Sequence, residues 1–190
     1  MFGQIAQLLV ETLFGVFIYV LLLRFYMQLL RVPFRNPIGQ FVTALSDWIV
    51  RPARRVIPGL AGLDLATILI AWFAEALMLL LLYWLRGFSF ADAPGIAAGK
   101  LFTVAALELV RVSLYLLVGV VIVQVIISWV NPLAPLAPIF NALTRPFYAV
   151  FRRFIPPIGN VDLSPLFVLL IAQILLLLLV NLSRYLQAPM

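Results

Sequence analysis

The chain has 190 residues, 65% of them hydrophobic and 11% charged, with a formal net charge of +6. An apolar content above the ~45–50% of soluble domains, and a charge content below their ~25%, exclude a water-soluble fold, which has no core large enough for so much apolar surface. The absence of Cys and His excludes disulfides, thiol chemistry, the commonest metal and haem ligands and the usual neutral-pH general base, so neither a cofactor nor an enzymatic activity is expected.

From the N-terminus, Met1 to Ala6 carries no basic region, and the apolar run behind it exceeds a signal-peptide core of about 7–15 residues. The first segment is therefore expected to stay in place as a span. A bilayer core about 30 Å thick takes roughly 20 apolar residues per helical crossing. Four runs reach that length: Ile5–Leu30, Leu63–Leu85, Leu101–Val130 and Leu163–Leu186. Leu-rich runs without polar alternation exclude a barrel, so all four are expected as helices.

Between the first two runs, Ile38, Phe41, Val42, Leu45, Trp48 and Ile49 recur at helical spacing, with Gln40, Thr43, Ser46, Asp47, Arg51, Arg54 and Arg55 on other faces. Between the last two, Leu136, Ile139, Phe140, Leu143, Phe147, Val150, Phe151 and Phe154 form the stripe, opposite Asn141, Thr144, Arg145, Arg152 and Arg153. Such patterning describes helices lying in the headgroup region.

The two connecting segments match each other without a gap at a constant offset of 98, which carries Ala44 onto Ala142. Leu45, Arg54, Arg55, Ile57, Pro58, Asp64 and Leu65 are identical to Leu143, Arg152, Arg153, Ile155, Pro156, Asp162 and Leu163, and the offset goes on to pair Glu75 with Gln173. The expected fold class is an all-α membrane protein with four transmembrane helices in two tandem parallel repeats. Residues 1–95 form the first (span 5–30, amphipathic helix 37–57, span 63–86) and residues 96–190 the second (span 101–130, amphipathic helix 135–155, span 163–186). Two crossings per repeat give both copies one orientation about an axis along the membrane normal, with spans two and four facing each other or occupying equivalent places.

Arg31, Arg35, Arg51, Arg54, Arg55, Arg145, Arg152 and Arg153 lie in the connections inside the repeats, whereas Arg86, Lys100 and Arg184, with Asp92 among them, lie on the other side. The positive-inside rule puts both basic connections in the cytoplasm and both termini in the periplasm of a bacterial inner membrane. Topology thus accounts for the basic balance, and no direct nucleic-acid binding is expected.

The candidate sites follow from these positions. Arg51, Arg54, Arg55, Arg145, Arg152 and Arg153 are candidates for binding anionic lipids or protein partners, each basic group contributing about 1 kcal/mol near an anionic surface. Asp64 and Asp162 precede the second and fourth spans, where a carboxylate caps free amides. Within the spans, Glu11, Arg24, Glu75, Glu108, Arg111 and Gln173 stand out, since an ionised group at the bilayer centre costs ~2.5–3.5 kcal/mol on insertion scales. Glu75 and Gln173 are expected to meet near the pseudo-axis, Arg24 to snorkel or reach toward Glu75, and Glu108 to neutralise Arg111 within one turn.

The doubled pattern of a span, Asn-Pro (Asn36-Pro37, Asn131-Pro132), an amphipathic segment ending in Arg-Arg, then Ile-Pro, then Asp-Leu opening the next span resembles the YggT family, also called YlmG. The resemblance covers nearly the whole chain, the first copy departing with Ala66-Thr67 where the second has Ser164-Pro165. It implies a small bacterial inner-membrane protein without catalytic or cofactor-binding residues, with relatives in thylakoids. Bacterial members are tied to cell-division gene neighbourhoods and osmotic tolerance, plastid members to cytochrome complex biogenesis and nucleoid distribution. The expected function is a membrane scaffold or assembly factor whose partners are the bilayer, anionic lipids and other membrane or cytoplasmic proteins, with homo-oligomer formation left open. The alternative is a small channel or transporter subunit with a polar path around Glu75 and Gln173, Arg24 beside it.

Overall fold

The computed structural model describes residues 2–60, 62–87, 94–154 and 162–187. Asp92, Ile155 and Pro156 lie outside the described residues. Six helices follow in order: α1 Phe2–Leu29, α2 Pro37–Val56, α3 Leu65–Leu85, α4 Pro94–Val130, α5 Ala137–Arg152 and α6 Ser164–Gln187. Four of them, α1, α3, α4 and α6, are long and apolar enough to cross a membrane. Helix α4 begins several residues before its expected start because Pro94 opens it, at a position where a missing N–H is no loss.

Each short helix ends one long helix and begins the approach to the next. Helix α1 stops at a left-handed turn in which Arg31 (φ 55°) takes the place usually held by glycine. The Val32 amide bonds back to the Met27 carbonyl at 2.8 Å and that of Arg31 to Gln28 at 3.1 Å, while Val32 and Met27 pack in one cluster. These bonds satisfy carbonyls that the helix end would leave free. Asn36 then caps α2 by accepting the Gly39 amide at 2.8 Å, with Pro37 in the first turn. The second Asn-Pro serves differently: Asn131 closes α4 and accepts the Leu133 amide at 3.2 Å, while α5 starts after Leu136 without a side-chain cap.

Helix α3 packs between α1 and α4, and α6 packs on α4 with α5 beside it. Ala66, Ala71 and Ala76 of α3 are buried, and small residues of this kind let helix backbones approach closely in lipid. Of the two arrangements expected for spans two and four, facing each other is ruled out and equivalent places remain, because α3 packs on α1 and α4 whereas α6 packs on α4 and α5. One cluster joins Ile18, Leu21 and Leu22 of α1 to Val50 of α2, Ala71 of α3 and Leu109 of α4. A second brings Met27 and Val32, from the end of α1, against Ile139 and Leu143 of α5, with Phe34 and Ile38 packed on them. Both short helices thus sit at the same end of the bundle.

Candidate functional site

The arginine-rich end is assembled on α2 and α5. Helix α2 divides into three faces. Val42, Ser46 and Val50 are buried on the bundle; Phe41, Leu45 and Trp48 are exposed apolar groups; Gln40, Asp47, Arg51 and Arg54 make the polar face. Helix α2 thus carries a buried face, an exposed apolar face and a polar face.

The first arginine of each double-Arg step is paired with the Asp ten residues further on. Arg54 donates from Nε to Asp64 Oδ1 at 3.2 Å and from Nη2 to Oδ2, and its Nη2 also reaches Gln28 of α1 at 2.5 Å. Arg152 donates from Nε and Nη2 to Asp162 Oδ2 at 3.0 and 2.6 Å. Each pair clamps the end of a short helix to the start of the span that follows. The spacing hides the pairing, since a ten-residue separation across a Pro-containing turn has no helical periodicity to betray it.

Both aspartates also take up backbone amides, in different ways. Asp64 caps α3 by accepting the Thr67 amide at 3.3 Å, and it receives the Thr67 hydroxyl. The residue equivalent to Thr67 is Pro165, which has no N–H to offer. Asp162 instead accepts the Ser164 amide at 2.9 Å, so it stands one position outside the cap expected for it. Burial pushes both carboxyls up, but the bonds from Arg54 and Thr67 to Asp64, and from Ser164 and Arg152 to Asp162, outweigh it and hold both below the usual carboxylate range.

Arg24 is 4% exposed and is turned to α2, which corrects the expectation that it snorkels or reaches toward Glu75. Its Nη1 donates to Ser46 Oγ at 2.6 Å and pairs with Asp47 Oδ1 at 2.7 Å, while Asp47 Oδ2 holds Arg51 at 2.6 Å. A buried guanidinium needs a compensating carboxylate, and the polar side of the amphipathic helix supplies the nearest one. In the sequence, Ser46 and Asp47 read only as polar positions off the apolar stripe of this helix.

On α5, Asn141, Thr144, Arg145, Tyr148 and Arg152 line an open polar recess of about 450 Å³. Tyr148 is buried, donates to Gln124 Oε1 at 2.8 Å and carries the Arg152 guanidinium over its ring at 5.7 Å. Gln124 in turn donates to Asn141 Oδ1 at 3.1 Å. Burial pushes the Tyr148 hydroxyl up to about 12, so it remains a neutral donor throughout the physiological range. Neither Tyr148 nor Gln124 stood out in the sequence, because each reads as an ordinary member of a helix until the two helices meet. Arg31, Arg35, Arg55, Arg145 and Arg153 have no ion-pair partner among the described residues.

A second polar group lies inside the bundle. Glu75 is 2% exposed, and its Oε2 has no hydrogen-bond partner among the described residues. It interacts electrostatically with Glu108 of α4 and Tyr19 of α1. Glu108 meets Arg111 at 3.1 Å, as expected for one turn, and the Arg111 guanidinium lies over Tyr115 at 5.7 Å. Gln173 does not join this group: it is exposed on α6, separated from Glu75 because α6 packs on α4 and α5 rather than into the space α3 occupies. Glu11 reaches Arg86 at 3.9 Å, both half-exposed. No group of three or more metal-ligating side chains occurs among the described residues.

Four helices long and apolar enough to cross a membrane, with an arginine-rich end and a small internal polar cluster, define a multi-span helical membrane protein. The sequence profile of the CCB3/YggT family matches residues 3–85 and 103–183, and the chain belongs to that family. It is 35% identical over 159 residues to the "uncharacterized protein in proC 3'region" of Vibrio alginolyticus, covering 83% of this chain and 84% of that one. It is 32% identical over 178 residues to the uncharacterized protein PA0392 of Pseudomonas aeruginosa, covering 91% and 87%. To the uncharacterized protein YggT of Escherichia coli K12 it is 29% identical over 169 residues, covering 88% and 85%. No solved structure matches significantly.

Proposed function

We propose that this protein is a non-enzymatic scaffold or assembly factor of the bacterial inner membrane, presenting a basic, lipid-apposed platform to its partners from the cytoplasmic leaflet. The observation that carries the reading is the division of labour among the arginines. Arg54 and Arg152 are consumed by Asp64 and Asp162, and Arg24 by Asp47. Arg55, Arg145 and Arg153, with Arg31 and Arg35, are left as unpaired charge at one end of the bundle. Unpaired guanidinium groups beside exposed Phe41, Leu45 and Trp48 suit a surface that rests on anionic headgroups and still offers charge to a protein. The positive-inside bias supports the cytoplasmic side.

The test is a triple variant, Arg55→Gln, Arg145→Gln and Arg153→Gln, compared with the parent by crosslinking in native membranes and identification of the captured neighbours. Loss of neighbours with the spans still inserted supports the platform. An unchanged set of neighbours rejects it.

The second reading, a channel or transporter subunit, draws on the buried Glu75 with its unpartnered oxygen and on Glu108, with which it interacts. With Gln173 outside the bundle, such a path has to run past Glu75, Glu108 and Tyr19 alone. Absence of any current from reconstituted protein at all membrane potentials counts against it, and so does unchanged function in Glu75→Gln.

A further inference from the structure

We propose that the outward face of α6 is the interface of a homodimer centred on Gln173. Gln173 lies near the middle of the candidate span Ser164–Arg184 and is exposed, with no hydrogen-bond partner among the described residues. Two amides elsewhere in the bundle are satisfied within it: Gln28 accepts from Arg54, and Gln124 bonds both Tyr148 and Asn141. Gln4 and Gln7 lie near the start of α1. An amide facing hydrocarbon has lost its water and gained nothing in return, so a partner is required of it.

Its neighbours along the helix supply the rest of a seam. Leu166, Leu170, Gln173, Leu177 and Asn181 are all exposed, and they follow one another at spacings of four, three, four and four. That rhythm keeps one stripe in register with a facing helix, with apolar knobs flanking a polar centre. The buried face of α6, with Val168, Ala172 and Leu176, is turned to α4 and α5, so the seam points away from its own bundle.

The occupant is a second copy of this chain, for two reasons. A primary amide both donates and accepts, so two glutamines satisfy each other without any further group. Copies inserted the same way round also close a two-fold pair only about an axis along the membrane normal, which sets residues of equal depth opposite one another. Gln173 then meets its own counterpart automatically, whereas an unrelated helix would have to place a polar group at that depth.

The chain has no Cys, so single cysteines report contacts without a background. Purified full-length protein in lipid vesicles is to be treated with a membrane-permeant oxidant after Leu170→Cys or Leu177→Cys on the seam, or Leu175→Cys or Leu182→Cys on the exposed flank of α6 farthest from it. The seam variants are expected to form a disulfide-linked dimer and the flank variants to remain monomeric. Adding Gln173→Leu, which only makes the span more apolar, is expected to weaken the dimer roughly three- to fifteen-fold, and Gln173→Asn to restore much of it. Equal crosslinking from seam and flank, or a dimer indifferent to Gln173→Leu, overturns the proposal. So does a seam cysteine that crosslinks to a different protein in native membranes while the purified chain alone stays monomeric.

Discussion

Arg31 holds a left-handed backbone conformation at φ 55°, where an L side chain carries a penalty of about 1–2 kcal/mol. Arg31→Gly relieves it but loosens the unfolded chain by about 0.5–1 kcal/mol, so thermal unfolding in detergent is expected to show little change or a small gain. Arg31→Val, with a branched Cβ in the same conformation, is expected to unfold at a clearly lower temperature. At Gly39 an added Cβ would run into the Phe34 backbone, so Gly39→Ala is expected to lose about 1–3 kcal/mol by the same measurement. Asp64 and Asp162 both sit below their ordinary values. A carboxyl whose folded value is depressed stabilises the fold above its unfolded range, and that stabilisation disappears as the pH falls through the lowered value. The unfolding temperature is therefore expected to drop as acidity increases past the usual carboxylate range, and less steeply in Asp64→Asn. That an aspartate should open each of these spans is evident from sequence. That an arginine grips it is not, because the contact depends on how the intervening turn folds back.

The clamps make different demands on their two helices. Asp64 is 3% exposed, whereas Arg152 and Asp162 are 54% and 32% exposed and screened by solvent. Arg54→Gln strands a buried carboxylate and is expected to lose about 1–3 kcal/mol. Arg152→Gln is expected to lose less, and Arg55→Gln, with no partner to forfeit, to stay within about 0.5 kcal/mol of the parent. Unfolding of the three variants in one detergent orders them directly. The helices themselves were plain from hydropathy and spacing, and the short pair even from the position of their arginines. Their true ends were not, since Pro94 extends α4 and the second Asn-Pro closes a helix where the first opens one.

For the molecule as a whole, the joint cluster of Met27, Val32, Ile139 and Leu143 fixes the two basic helices at one end. Single cysteines at Arg51→Cys and Arg145→Cys are expected to react with an impermeant maleimide in inside-out vesicles and to stay protected in right-side-out ones. Labelling of the two from opposite sides contradicts the shared end. Duplication in the sequence says which helices correspond but not which touch, and the difference decided the fate of Glu75 and Gln173. Corresponding positions at matched depth need not be neighbours. The alanines of α3 instead seat Glu75 between α1 and α4, leaving Gln173 on the outside.

The bond between Arg24 and the Ser46–Asp47 pair bears on how the chain enters the bilayer. A guanidinium within the opening segment costs less once its counter-charge, encoded some twenty residues later, has coiled into place. The surface helix thus helps to set the final depth of the opening segment. A chain cut before α2 is therefore expected to hold its first segment less completely inserted than the full chain does, which mapping of the segment's depth in the two would show.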